Sequence, residues 1–183
     1  MIKLMLNAYW EEIKMKSLFV DKEKCTGCRR CELACSFFHF QTYSLGRTRL
    51  HVVRDGEVEG PVVCVQCGLC QYACPIKGAI IRNKKTGAFL VTTKCNPKEC
   101  NTECVNACPY GVIHVDLKLK RAIKCDFCGG SPSCVDACPW NVIHYVDAGS
   151  PYALNNKRVA EVRRRWNVER AYTKGSVETL KKV

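Results

Sequence analysis

The chain has 183 residues, 16 of them cysteine, and a formal net charge of +12. Cysteine at roughly 9% of a chain marks either a disulfide scaffold or a metalloprotein. The stretch from Met1 to Cys25 contains no uninterrupted apolar run and no small-residue cleavage site, which argues against a secreted disulfide scaffold and for a cytoplasmic chain. The longest uncharged run, 60–76, holds four cysteines and two prolines and is too short for a membrane span.

Residues 1–16 read as an N-terminal extension, because Met15 begins a stretch, MKSLFVDKEKC, that leads straight into the first cysteine group. That group is Cys25, Cys28, Cys31 and Cys35; the second is Cys64, Cys67, Cys70 and Cys74. Cys95, Cys100, Cys104 and Cys108 form the third, and Cys125, Cys128, Cys134 and Cys138 the fourth. No cysteine is left over, so the pattern is an internal repeat. The first two groups run C-x2-C-x2-C-x3-C, a spacing in which three close thiolates hold three irons of one cubane while the fourth reaches another cluster. The third group is widened by NPKE and NTE, the fourth by GGSPS. Extra loop residues cost little when the ends still meet, so both read as intact ligand sets. A structural zinc protein is the alternative from another class, although zinc sites with four cysteines usually come as two separated C-x2-C pairs.

Each of the last three groups is followed by Cys-Pro, a short turn and a β-branched segment: CPIKGAIIR, CPYGVIHV and CPWNVIHY. The repeat therefore predicts a cysteine loop, a brief helix carrying the third and fourth cysteines, and a strand that pairs in a hairpin. Two hairpins are expected, over 78–95 with a turn near Thr86-Gly87, and over 111–125 with a turn from Asp116 to Lys118. The class is α+β, built around clusters because so little apolar volume does not fold alone. His114 and His144 hold the same place in two repeats and read as structural, whereas His39 in CSFFHF lies near a cluster or faces a partner. Tyr110 and Trp140, one residue past Cys-Pro, are expected to cover clusters against water. Residues 151–183 carry nine Lys or Arg against three Glu, with a helix expected over 157–172 and Val159, Val162, Trp166 and Arg170 on one side. That tail reads as a docking arm onto a large subunit or a sister copy, the latter giving self-association.

The segments CTGCRRCELACSFFH, RTRLHV and KCDFCGGSPSCVDACPWNVI resemble the four-cluster ferredoxin subunits that serve large oxidoreductases. These include the small subunits of tungsten aldehyde oxidoreductases, the cluster subunit of benzoyl-coenzyme A reductase, and the beta subunits of the dimethyl sulfoxide reductase family. The resemblance covers about Ser17 to Ala148. It implies four 4Fe-4S clusters in two nested bacterial-ferredoxin-like modules, an outer one over 17–57 and 112–150 and an inner one over 58–111. It further implies the ligand sets Cys25, Cys28, Cys31 with Cys138; Cys64, Cys67, Cys70 with Cys108; Cys95, Cys100, Cys104 with Cys74; and Cys125, Cys128, Cys134 with Cys35. A sequential pairing, first group with second and third with fourth, is equally open to the spacing. The chain departs from the family in the widened third group and in Ser36, which stands where proline follows the fourth cysteine elsewhere.

Four clusters at about −2 each would bring the charge of the loaded protein down to about +4, so the basic excess compensates clusters and does not call for nucleic acid. There is no dinucleotide fingerprint and no nucleophile with its base, which excludes bond chemistry by this chain. The expected function is an electron-transfer subunit between a large tungsten- or molybdenum-pterin catalytic subunit, of the aldehyde oxidoreductase type, and an acceptor subunit or ferredoxin. The alternative is a ferredoxin-like subunit of a formate dehydrogenase, hydrogenase or carbon monoxide dehydrogenase complex.

Overall fold

The structure, a computed structural model, describes residues 16–55 and 58–147. The N-terminal extension before Lys16 and the basic tail lie outside the described residues. Among the described residues, eight short strands pair two by two into four antiparallel ribbons, with four helices between them. No helix among the described residues is long and apolar enough to cross a membrane.

Strand β1, Lys16–Val20, pairs with β8, Ile143–Asp147, in a register that sets Leu18 opposite Tyr145 and Phe19 opposite His144. The ribbon closes the described chain end to end, and the Phe19 and His144 rings stack at 5.9 Å. His144 is thus a strand residue packed on an aromatic, the structural role expected of it. Strands β2, His51–Asp55, and β3, Val58–Val62, form a hairpin that the sequence reading did not foresee. Charged residues and glycine interrupt their alternation, so nothing local marks them as a pair. The two expected hairpins are present: β4, Ile80–Arg82, with β5, Phe89–Val91, and β6, His114–Asp116, with β7, Arg121–Ile123.

The helices depart from expectation in an instructive way. Helix α1, Arg30–Phe40, carries both Cys31 and Cys35, but α2, Leu69–Tyr72, α3, Glu103–Asn106, and α4, Ser133–Asp136, each contain only the third cysteine of their group. Proline clashes with helical backbone at the residue before it, so Pro75, Pro109 and Pro139 hold Cys74, Cys108 and Cys138 outside the helix. Ser36 imposes no such limit, and α1 continues to 11 residues. The Ser36 hydroxyl donates to Leu33 O and accepts from Ser44 N, both at 3.0 Å, fixing the loop that follows the helix.

Two main cores result. One gathers Leu18, Val20, Leu50, Val52, Phe127, Val142 and Ile143 around Cys31, Cys35 and Cys134. The other gathers Ile80, Phe89, Val105, Ile113, Val115 and Ala122 around Cys70 and Cys104. A smaller cluster of Val62, Cys64 and Val112, with Tyr110, Cys108 and Cys125 packed on it, shares Cys125 with the first core and Cys108 with the second. Cysteine sulfur takes the place that leucine or isoleucine would fill in an ordinary domain of this size.

Candidate metal centres

The sixteen cysteines are all free thiols, and the fold brings them together in four sets. Cys25, Cys28, Cys31 and Cys138 line one small recess under Trp140. Cys35 and Cys128 lie close enough to Cys134 to act on its charge, as does Cys125. Cys70 has Cys64, Cys67 and Cys108 around it, and Cys104 has Cys95, Cys100 and Cys74. In every set three thiols come from one group and the fourth from another. The sets also adjoin in succession: Cys31 acts on the charge of Cys134, Cys64 on that of Cys125, and Cys70 on that of Cys104.

Local backbone aims these thiols inward. The residues just before α1, α2 and α3 are left-handed, Arg29 at φ 58°, Gly68 at 82° and Thr102 at 53°, a turn that points successive groups toward a common centre. In the fourth group the residues of positive φ are Phe127, Cys128, Gly129 and Gly130. The Asp126 carboxylate accepts the Cys128 N–H at 2.9 Å and so holds that loop. The widened third loop is ordered too: NPKE forms a turn over Pro97–Glu99, with Asn96 Oδ1 accepting from Lys98 N at 3.2 Å and Asn96 Nδ2 donating to Glu99 Oε1 at 2.7 Å.

Backbone N–H groups donate to sulfur in all four sets, those of Tyr110 and Val112 serving Cys108. Val142 N reaches Cys138 Sγ at 3.3 Å, Arg49 N reaches Cys35 Sγ at 3.4 Å, and Ala122 N reaches Cys95 Sγ at 3.4 Å. Burial pushes Cys31 and Cys104 up to about 12 and Cys35 and Cys70 up to about 11, and drives Cys125 and Cys134 well above the ordinary thiol range. Clustered thiols so costly to ionise fit a metal that replaces their protons, and the all-sulfur donor set with N–H groups on the sulfur fits an iron–sulfur group.

Some expectations about neighbours need adjusting. Tyr110 packs on the small core beside Cys108 and Cys125. Trp140 overhangs the first recess but is 54% exposed, so it shields Cys25 and Cys138 only in part. His39 was expected near a cluster or facing a partner, and its Nε2 sits 3.7 Å from Cys128 Sγ and 3.4 Å from Asp126 Oδ1. Burial, with the nearby Arg49 charge, lowers His39 to about 4 against the opposing pull of Asp126, leaving the imidazole neutral. Lys124, Gln66, Arg49 and Asp126 were missed as functional residues. For Gln66, Lys124 and Asp126 the only signal in sequence was a cysteine next door, and Arg49 has none nearby.

Fold and site together define an iron–sulfur protein. Residues 60–148 match a 4Fe-4S dicluster domain, and residues 24–80 match a second 4Fe-4S dicluster domain. The chain is 31% identical over 189 residues to formate dehydrogenase 2 subunit beta (cytochrome c-553) of Nitratidesulfovibrio vulgaris, covering 82% of this chain and 85% of that one. It is 36% identical over 121 residues to the polyferredoxin-like subunit of aliphatic sulfonate oxidoreductase of Pyrococcus furiosus, covering 63% of this chain and 66% of that one. A chain of the benzoyl coenzyme A reductase active site complex BamBC superposes with a TM-score of 0.42 at 21% identity, covering 90% of this chain and 98% of that chain. The protein belongs to the 4Fe-4S dicluster family of polyferredoxin electron-transfer subunits. Two dicluster domains and sixteen cysteines correspond to four 4Fe-4S clusters, which settles iron–sulfur over zinc. The chain passes electrons within an oxidoreductase complex and is not its catalytic subunit.

Proposed function

We propose that this chain carries electrons for a large molybdenum- or tungsten-pterin catalytic subunit, with formate dehydrogenase the first candidate. The reading rests above all on the succession of four thiol sets, each adjoining the next. Formate dehydrogenase takes precedence over the aldehyde oxidoreductase type because the likeness to a formate dehydrogenase beta subunit extends over 85% of that relative. The ligand sets in the proposal are the nested ones: Cys25, Cys28, Cys31, Cys138; Cys125, Cys128, Cys134, Cys35; Cys64, Cys67, Cys70, Cys108; and Cys95, Cys100, Cys104, Cys74. The outer module is then 17–57 with 112–150 and the inner one 58–111, the hairpin β6–β7 lending Val115 and Ala122, and the residue before it Ile113, to the core around Cys70 and Cys104.

When bound, the 4Fe-4S clusters supply one-electron transfer from site to site. The residues of the chain fix the spacing, keep water from the sulfur, and tune each site through N–H donors and nearby charge. An all-free thiol complement suits a reducing compartment, and a cytoplasmic location forms part of the proposal. The docking tail and a terminal acceptor, another subunit or a ferredoxin, complete it.

Anaerobic purification of the native complex, with metal analysis and formate-dependent reduction of the clusters, tests the proposal. A molybdenum or tungsten partner and cluster bleaching by formate are expected. Bleaching by aldehydes with tungsten but not by formate would transfer the chain to the aldehyde oxidoreductase reading. A nickel partner would remove both.

A further inference from the structure

Lys124 is 3% exposed, yet among the described residues it forms no ion pair with a carboxylate. Its Nζ donates to Phe89 O at 2.7 Å, Gln66 Oε1 at 2.8 Å and Cys125 O at 2.9 Å. Three acceptors within 2.9 Å require three N–H donors, which only the ammonium form offers. All three acceptors are neutral oxygens. The protein therefore encloses a positive charge with no protein counter-charge in contact, an arrangement that costs several kcal/mol unless negative charge lies close by.

The negative charge at hand is thiolate sulfur, from two different groups. Lys124 acts on the charge of Cys70 and on that of Cys125, and Cys125 in turn faces Cys64. The side chain is also clamped. Gln66, at a left-handed φ of 56°, accepts Phe89 N at 2.9 Å and donates from Nε2 to Cys125 O at 2.9 Å, tying the second cysteine loop to the fourth around the ammonium. The Phe89 ring lies 6.0 Å from Nζ and closes one side.

We infer that Lys124 is a shared counter-ion for the two inner clusters, those of Cys64, Cys67, Cys70, Cys108 and of Cys125, Cys128, Cys134, Cys35, and makes both easier to reduce than the end clusters. The inference rests on the ligand sets proposed above. A fixed cation in a site of low dielectric favours the more negative, reduced form of whatever lies beside it. By serving two sites at once it raises both potentials where the two halves of the molecule meet. The hydrogen bonds to Gln66 and Phe89 keep that charge from leaving for solvent.

The test is an EPR-monitored redox titration of the full-length loaded protein, with iron analysis, for wild type, Lys124→Met and Lys124→Arg. Lys124→Met retains the side-chain length and removes the charge; at wild-type iron content, two of the four midpoints should fall, the reduction equilibrium of each shifting about tenfold, or about 59 mV. Lys124→Arg should stay within about threefold. Unchanged midpoints in a fully loaded Lys124→Met protein, or a shift confined to the end clusters, would overturn the inference. If Lys124→Met takes up no iron, the wild-type order of reduction decides. Signals altered by Cys70→Ser and Cys125→Ser must then be the first to appear on reduction, and earlier appearance of those altered by Cys31→Ser or Cys95→Ser refutes the role of Lys124. Fewer than four clusters in the wild type would defeat the ligand sets themselves, before any variant is made.

Discussion

The guanidinium of Arg49 donates to Asp126 Oδ2 at 2.5 Å, joining the segment after the first cysteine group to the fourth group far along the chain. Each also holds a cysteine: Arg49 N donates to Cys35 Sγ, and Asp126 Oδ1 accepts the backbone N–H of Cys128. Removing the pair's cation leaves a half-buried carboxylate beside His39 and Cys128. Arg49→Met is expected to lower stability by about 2 kcal/mol, discounted from the cost of a fully buried pair because Asp126 is 24% exposed. Denaturant unfolding followed at the cluster absorbance measures it, and a loss under 0.5 kcal/mol by order of magnitude would deny the bond its structural role.

Arg47 and Asp116 make the second such bridge, at 2.6 Å, with Asp116 also accepting Leu119 N at 2.8 Å. Burial alone would raise Asp116, but the hydrogen bond and charge of Arg47 with the Leu119 N–H outweigh it and hold the carboxyl below its ordinary value. Its folded pKa being depressed, the pair stabilises fully above about pH 4 and is lost as the pH falls through the folded value. Asp116→Asn should therefore unfold at lower guanidinium than wild type at pH 7 and at pH 5, by about 2 kcal/mol, with the gap closing below about pH 4. A gap that persists unchanged in acid would contradict this.

Paired cysteine substitutions distinguish nested from sequential ligand sets. Cys25→Ser with Cys138→Ser should remove one cluster, about four iron atoms, because both changes fall on one site. Cys25→Ser with Cys74→Ser should remove up to two, about eight iron atoms. The reverse order of losses in iron analysis would favour the sequential pairing.

Two glycines differ in what surrounds them. A Cβ at Gly68, φ +82°, would lie 2.9 Å from the Phe89 ring, while at Gly129, φ +74°, it would meet nothing within 4 Å. Gly129→Ala should cost only the left-handed backbone penalty, about 1 kcal/mol. Gly68→Ala should cost more, since Phe89 is clamped at its N–H and its carbonyl by Gln66 and Lys124. Equal melting temperatures of the two loaded variants would show the ring to be free to move.

Much of this was legible in the sequence because cluster ligation is local chemistry. Three thiolates for one cubane must lie within a few residues of one another, so Cys25, Cys28 and Cys31, or Cys64, Cys67 and Cys70, announce themselves by spacing. The Cys-Pro steps also located the turns before β4, β6 and β8. They hid the early end of α2, α3 and α4, which follows from the clash of Pro75, Pro109 and Pro139 with helical backbone at the cysteine before each. The hairpin of β2 and β3 was invisible because its alternation is broken by Arg54, Asp55 and Gly60.

The sequence by itself determined the class of protein and the four cysteine groups with none left over, since these depend on residue type and short spacing. Only the tertiary structure decided which distant thiols stand beside each triplet, that β1 meets β8, and that Lys124 is enclosed between Cys70 and Cys125. Those relationships join residues tens of positions apart, and they form only when burial of apolar side chains and sulfur brings separate repeats into contact.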